Sequence, residues 1–138
     1  MAAKDKFHDA VREALEKDGW KITHDPLQVK FGRVEMQIDL GAEQLLAATK
    51  GTQKIAVEIK SFLGLSFITD FYNALGQFLS YHLALEHQEP DRILYLAVPE
   101  ETFDEFFNMD FTQSVIERYS LKIIVYAPIQ KEVIKWIK

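Results

Sequence analysis

The chain has 138 residues, of which 48% are hydrophobic and 27% charged, with no cysteine and a net charge of −5. A length of this order closes one core by burying roughly two thirds of the unfolded surface, and the composition excludes a disordered, disulfide-stapled or membrane-spanning chain. Residues 1–66 carry ten basic and ten acidic side chains and residues 67–138 carry six and eleven, which is a poor footprint for an autonomous nucleic-acid binder, because such proteins concentrate Lys and Arg against phosphates.

One domain over 1–138 is therefore expected. The opening Met1-Ala2-Ala3-Lys4-Asp5-Lys6 lacks the apolar segment of a secretory signal, and no stretch approaches the roughly 18 apolar residues of a bilayer span, so a cytoplasmic protein is expected.

From Lys4 to Asp18 the apolar residues Phe7, Val11, Ala14 and Leu15 follow one helix face, which Gly19 ends. Trp20 to Thr23 reads as a short strand, closed by a turn at Asp25-Pro26. Val29 to Thr49 is strand-like, with Val34, Met36 and Ile38 alternating against Glu35, Gln37 and Asp39 and a break at Gly41. Lys50-Gly51-Thr52-Gln53 reads as a hairpin turn and Lys54 to Ser61 as the returning strand, giving a β-meander.

Phe67 to His87 is the longest helical run, with Phe71, Leu75, Phe78, Leu79, His82 and Leu85 on its expected inner face. Arg92 to Val98 is an apolar strand, Pro99 opens a helical region to about Tyr119, and Leu121 to Tyr126 is a second apolar strand. Pro128 then starts an expected short helix over Ile129 to Ile137. This order predicts an α/β fold whose mixed central sheet is flanked by helices, the later strands joining through helical crossovers.

One constellation carries chemistry. In the strand Lys54 to Ser61, Ala56, Glu58 and Lys60 share a face opposite Ile55, Val57 and Ile59. An acid and an ammonium on a buried strand cost several kcal/mol each unless paired or bound to a metal. Asp39, on the preceding antiparallel strand, is within reach of Glu58 across the hairpin, and two close carboxylates repel. A hard divalent cation, Mg²⁺ or Mn²⁺, would relieve that repulsion with Asp39 and Glu58 as ligands. Lys60 would orient the activated water or steady charge on a phosphoryl oxygen, so the matching chemistry is phosphodiester hydrolysis. The plainer alternative makes Glu58 and Lys60 a solvated pair on an edge strand.

Asp39, the run KIAVEIKS (54–61) and the helix after it resemble the PD-(D/E)xK nuclease superfamily, with Ile38 where the motif has proline. Gln77 and Tyr81, in GQFLSY, resemble the Q-x-x-x-Y element that in some members supports the site or contacts DNA. Many members also place an acid on the first helix, and here that position falls at His8 or Asp9. Over nearly the whole chain the segments KDKFHDAV, DGWKITHDP, IDLGAEQLLAA, KIAVEIKSFLG, ALGQF and LYLAVP resemble the XisH-type fdxN-element excision controlling factors.

That resemblance implies a restriction-endonuclease-like fold and a part in excising a DNA element, beside a site-specific recombinase and an XisI-type partner. It leaves two expectations open: a metal-dependent endonuclease acting on DNA, or an inactive nuclease-fold regulator that works by binding proteins.

Other features carry less. His24, His82 and His87 lack ligand spacing, since an i, i+5 pair does not share a helix face. Phe103, Phe106, Phe107 and Phe111 fit a core, or the contact of a homodimer, better than base stacking. Gly32, Gly41, Gly51, Gly64 and Gly76 form no phosphate loop, so no nucleotide cofactor is expected.

Overall fold

The computed structural model describes residues 4–46 and 51–138. Its first helix, α1 (His8–Lys17), is followed by β1 (Lys21–His24), β2 (Leu27–Phe31), β3 (Val34–Ile38), β4 (Leu40–Leu46) and β5 (Gly51–Ile59). The long helix α2 (Phe67–Gln88) leads into β6 (Arg92–Pro99), then a helical stretch of α3 (Glu100–Thr102), a π-helical turn (Phe103–Phe107) and α4 (Asp110–Tyr119). Strands β7 (Ile123–Ala127) and β8 (Glu132–Ile137) close the chain.

Among the described residues the main sheet has six strands in the order β1-β4-β5-β6-β7-β8, while β2 and β3 form a separate two-stranded ribbon. Strands β5, β6 and β7 run parallel, joined by α2 and by the α3–α4 stretch; the other pairings are antiparallel. The fold is thus the expected mixed sheet flanked by helices. None of its helices is long and apolar enough to cross a membrane, among the described residues.

Period-two alternation divides the strands between two layers. Ile55, Val57 and Ile59 of β5 pack with Val11 and Leu15 of α1, whereas Ala56 faces Phe71, Ala74 and Phe78 of α2. Both faces of β5 are covered, so it sits at the centre of the sheet. Helix α2 starts at Ser66, whose side chain accepts from the Thr69 N–H, and buries Phe71, Ala74, Phe78, Tyr81, Ala84 and Leu85. Leu79 and His82, expected on the inner face, point outward. Small Ala74 and Ala84 on that stripe let the helix approach the sheet between the larger Phe71, Phe78 and Tyr81.

Three expectations need correction. Residues 132–137 form a strand, not a helix: Lys131, at φ 57°, turns the chain so that β8 pairs antiparallel with β7. A short apolar run does not declare its period, and here the open edge of β7 decides. Trp136 then packs on Trp20 (5.7 Å between ring centroids) and donates its indole N–H to Asp18 (3.0 Å).

The turn expected at Lys50–Gln53 needs correction at three of its four positions. Gly51, Thr52 and Gln53 belong to β5 and pair with Leu46, Leu45 and Gln44, while Lys50 and the expected strand end at 47–49 fall outside the described residues. The meander, finally, is split: β2 and β3 turn back at Gly32 (φ 60°) and leave the main sheet to lie over α2.

The helical region after Pro99 is interrupted at Asn108-Met109. Its π-helical turn, closed by Asn108 N–H to Phe103 C=O (3.1 Å), turns Phe103, Phe106 and Phe107 into the core, leaving Phe111 half exposed. At the end of α4, Ser120 adopts the left-handed conformation (φ 52°, ψ 46°) that glycine occupies without strain. Ser120→Gly is expected to raise stability by about 0.5–1 kcal/mol. An unchanged or lowered urea midpoint would contradict this.

Candidate functional site

Glu58 is buried near the C-terminal end of β5, and Asp39 occupies the joint between β3 and β4. Each holds the other's backbone: the Asp39 N–H donates to Glu58 Oε1 (3.3 Å), and the Ile59 N–H donates to Asp39 Oδ2 (2.8 Å). Lys60 leaves the same face one step later, its Nζ 3.6 Å from Glu58 Oε2. Its backbone N–H reaches Ala97 C=O (3.0 Å), extending the pairing of β5 with β6 under the site.

Burial, and then the negative charge of Asp39, push the Glu58 carboxyl up to about 8, against the opposing pull of Lys60. Glu58 therefore holds its proton more readily than a free glutamic acid does. Tyr81 of α2 feels the same field: burial first, then Glu58 and Asp39, raise its hydroxyl to about 12 and keep it a neutral donor.

A cavity of about 470 Å³ opens over this pair, lined also by Lys4, Asp5, His8, Asp25, Gln28, Gln37, Lys60, Gln77 and Tyr81. It brings together Asp39, Glu58, Lys60, His8, Gln77 and Tyr81. Asp9 is not among them; it lies one position further along α1, on the exposed face.

His8 is held from below, its Nε2 2.8 Å from Asp25 Oδ1, while Arg12 binds the other Asp25 oxygen. Burial alone would raise the Asp25 carboxyl, but Arg12 and His8 outweigh it and hold it below the ordinary range. Asp25 stays ionised and fixes the imidazole.

Among the described residues, two members of this lining carry buried atoms without hydrogen-bond partners, His8 Nδ1 and Gln77 Oε1. Such orphans are uncommon in a finished core.

Sequence reasoning missed Asp5 and Asp25. Asp5 receives the N–H of Phe7 and of Ser61, both at 2.9 Å, and so ties the start of α1 to the residue after Lys60. With burial it also raises the Tyr126 hydroxyl, which approaches Lys60 C=O at 3.4 Å. Asp25 read only as a turn residue before Pro26. A signal for it existed in the i, i+4 pair His8 and Arg12, two donors on one face of α1 that want one acceptor.

Among the described residues no group of three or more His, Asp or Glu side chains is gathered as a metal cage. The donor set on offer is two carboxylates beside an open, polar cavity. That fits Mg²⁺, which is usually held by one or two carboxylates and keeps several waters. His24, His82 and His87 lie outside: His24 bonds Thr23 and the others stack on Phe78 and Phe31.

Comparison with known proteins gives consistent results. The profile of the family described as XisH protein matches residues 1–134. An XisH family protein from Nostoc punctiforme superposes with a TM-score of 0.89 at 44% identity, over 97% of this chain and 100% of that one. An fdxN element excision controlling factor protein from Anabaena variabilis gives 0.87 at 46% identity, over 96% and 98%. No curated protein matches the chain. A family match over nearly the full length, together with two solved structures above 40% identity, shows that this chain belongs to the XisH family.

Proposed function

We propose that the chain is a DNA-processing factor of excision control, built as one restriction-endonuclease-like domain over residues 1–138 with a PD-(D/E)xK-type site. The observation that carries this reading is the convergence of Asp39, Glu58 and Lys60 on one cavity, with the two acids cross-linked through each other's strand. The relative from Anabaena variabilis, an fdxN element excision controlling factor protein, supplies the biological setting.

In this reading Asp39 and Glu58 are the ligands of Mg²⁺ or Mn²⁺, which when bound supplies Lewis acidity toward a phosphodiester and an activated water. The protein's own groups supply the rest. Lys60 sets an ammonium beside the acids, where charge develops on the phosphoryl oxygens. Tyr81 keeps its proton, so its hydroxyl is able to donate a hydrogen bond within the cavity. His8, clamped by Asp25 and Arg12, presents a fixed imidazole in the accessory position, with Gln77 across the cavity.

One observation favours a second reading, an inactive regulator that binds an XisI-type partner, a site-specific recombinase or a second copy of itself. Six basic side chains stand against eleven acidic ones in residues 67–138, and that balance suits a protein partner better than phosphates.

Incubation with supercoiled and branched DNA in Mg²⁺ or Mn²⁺ separates the two. The nuclease reading expects nicking that Lys60→Ala lowers by about 10²-fold or more, the scale of losing one electrostatic donor. Absence of nicking by the wild type, or equal nicking by the variant, rejects it. Calorimetry should show Mn²⁺ binding that Asp39→Asn removes.

A further inference from the structure

A second, apolar cavity of about 500 Å³ lies between the β2–β3 ribbon and α2. Phe31, Val34 and Met36 form its ribbon side, and Gly76 and Leu83 its helix side. Phe31, Val34 and Leu83 are each at least 40% exposed, so the groove is an open apolar surface and not part of the core.

Two residues line this groove and also the cavity over the carboxylates: Gln77 and Tyr81. The groove therefore continues the candidate site away from its acids. We propose that it receives an unstacked nucleobase of a DNA strand whose phosphate lies over Asp39 and Glu58, so that the substrate class is DNA with unpaired bases. This rests on the nuclease reading above.

Three features favour a base over other occupants. A volume of this size suits a single small group, whereas a docking helix needs a long continuous stripe, and here the apolar lining gives way to acids and lysine within the length of α2. Aromatic and thioether side chains accept any base by its π-face, a contact that needs no basic surface and so is compatible with an acidic protein. Gln77, at the junction, holds a buried acceptor oxygen without a partner among the described residues, and a rotation of its side chain into the groove would match it to the exocyclic amine of a base. Lys4 and Lys60 stand at the carboxylate end, where the phosphate would lie.

Gly76 provides the test, because a Cβ built there meets nothing within 4 Å. Gly76→Leu should fill the groove without straining the fold, and leucine also favours the helix over glycine. Binding is read by anisotropy of a fluorescein-labelled single-stranded oligonucleotide and of its matched duplex in Ca²⁺. A second probe carries 2-aminopurine at a mismatch. The wild type should prefer the single strand and change the 2-aminopurine fluorescence, while Gly76→Leu should lose about tenfold in single-strand affinity, the worth of stacking one base, with no fall in melting temperature.

Equal binding of single strand and duplex, or wild-type affinity in Gly76→Leu, overturns the inference. So does a variant that changes only its sedimentation, since the face would then join two copies of the chain. If the wild type nicks DNA and Gly76→Leu nicks and binds as well, the groove inference falls alone. If nothing is nicked in Mg²⁺ or Mn²⁺ but Gly76→Leu still loses the single strand, the groove stands as a DNA site and hydrolysis falls.

Discussion

Glu58→Gln is expected to leave the metal-free protein more stable than the wild type at pH 9, by a few kcal/mol, and nearly unchanged at pH 4.5. The carboxyl of Glu58 moves from its ordinary 4.5 to about 8 on folding, through burial and the neighbouring Asp39. An acid raised in this way binds its proton more tightly in the folded chain than in the unfolded one. Its stability contribution is complete below about pH 4.5 and is lost as pH climbs through about 8. Glutamine keeps the shape and carries no charge, so its stability should stay level across that window.

Urea unfolding at several pH values between 4.5 and 9 measures the difference. Parallel profiles for wild type and variant would show that Glu58 is not the group responsible. Added Mn²⁺ should narrow the gap at high pH, because an ion that binds only the folded wild type stabilises it by mass action, by about 2.7 kcal/mol at a hundred times its dissociation constant.

The second large effect is expected in the aromatic layer beneath α2. Phe107→Ala should cost about 3–5 kcal/mol, the transfer of a buried ring plus the cavity it leaves. Phe107 is fully buried, and its ring meets Phe62 edge-on at 5.4 Å and Phe71 at 5.6 Å. Phe62 belongs to the segment that follows Lys60 and is held at φ 55°, so the loss reaches toward the candidate site as well as the core. Phe111→Ala, at a ring half exposed beyond Phe71, should cost less than about 1 kcal/mol. Equal urea midpoints for the two variants would mean that the layer is not packed as described.

The order of elements was legible where periodicity and length agreed. The α2 run is too long for a strand and too regular for a loop, and the apolar runs of β6 and β7 sit between clear breaks. The candidate site was legible because Glu58 and Lys60 share parity on a strand whose other face carries Ile55, Val57 and Ile59, an arrangement that only a covered strand needs.

What was not legible depends on contacts far apart in the chain. Residues 132–137 have no period strong enough to outweigh the free edge of β7. The departure of β2 and β3 from the main sheet follows from the apolar floor that α2 offers to Leu27 and Val29. Asp5 and Asp25 look like ordinary surface acids until α1 is laid against Ser61 and its His8–Arg12 face meets the turn.

The crossed pair of bonds between Asp39 and Glu58 also constrains how the pocket moves. Sliding β4 along β5 by even one residue would release both backbone N–H groups together and point the acids apart. Pairing of the two strands and alignment of the acids are thus a single cooperative event, and the pocket behaves as a latch, fastened or undone, with no half-aligned position between.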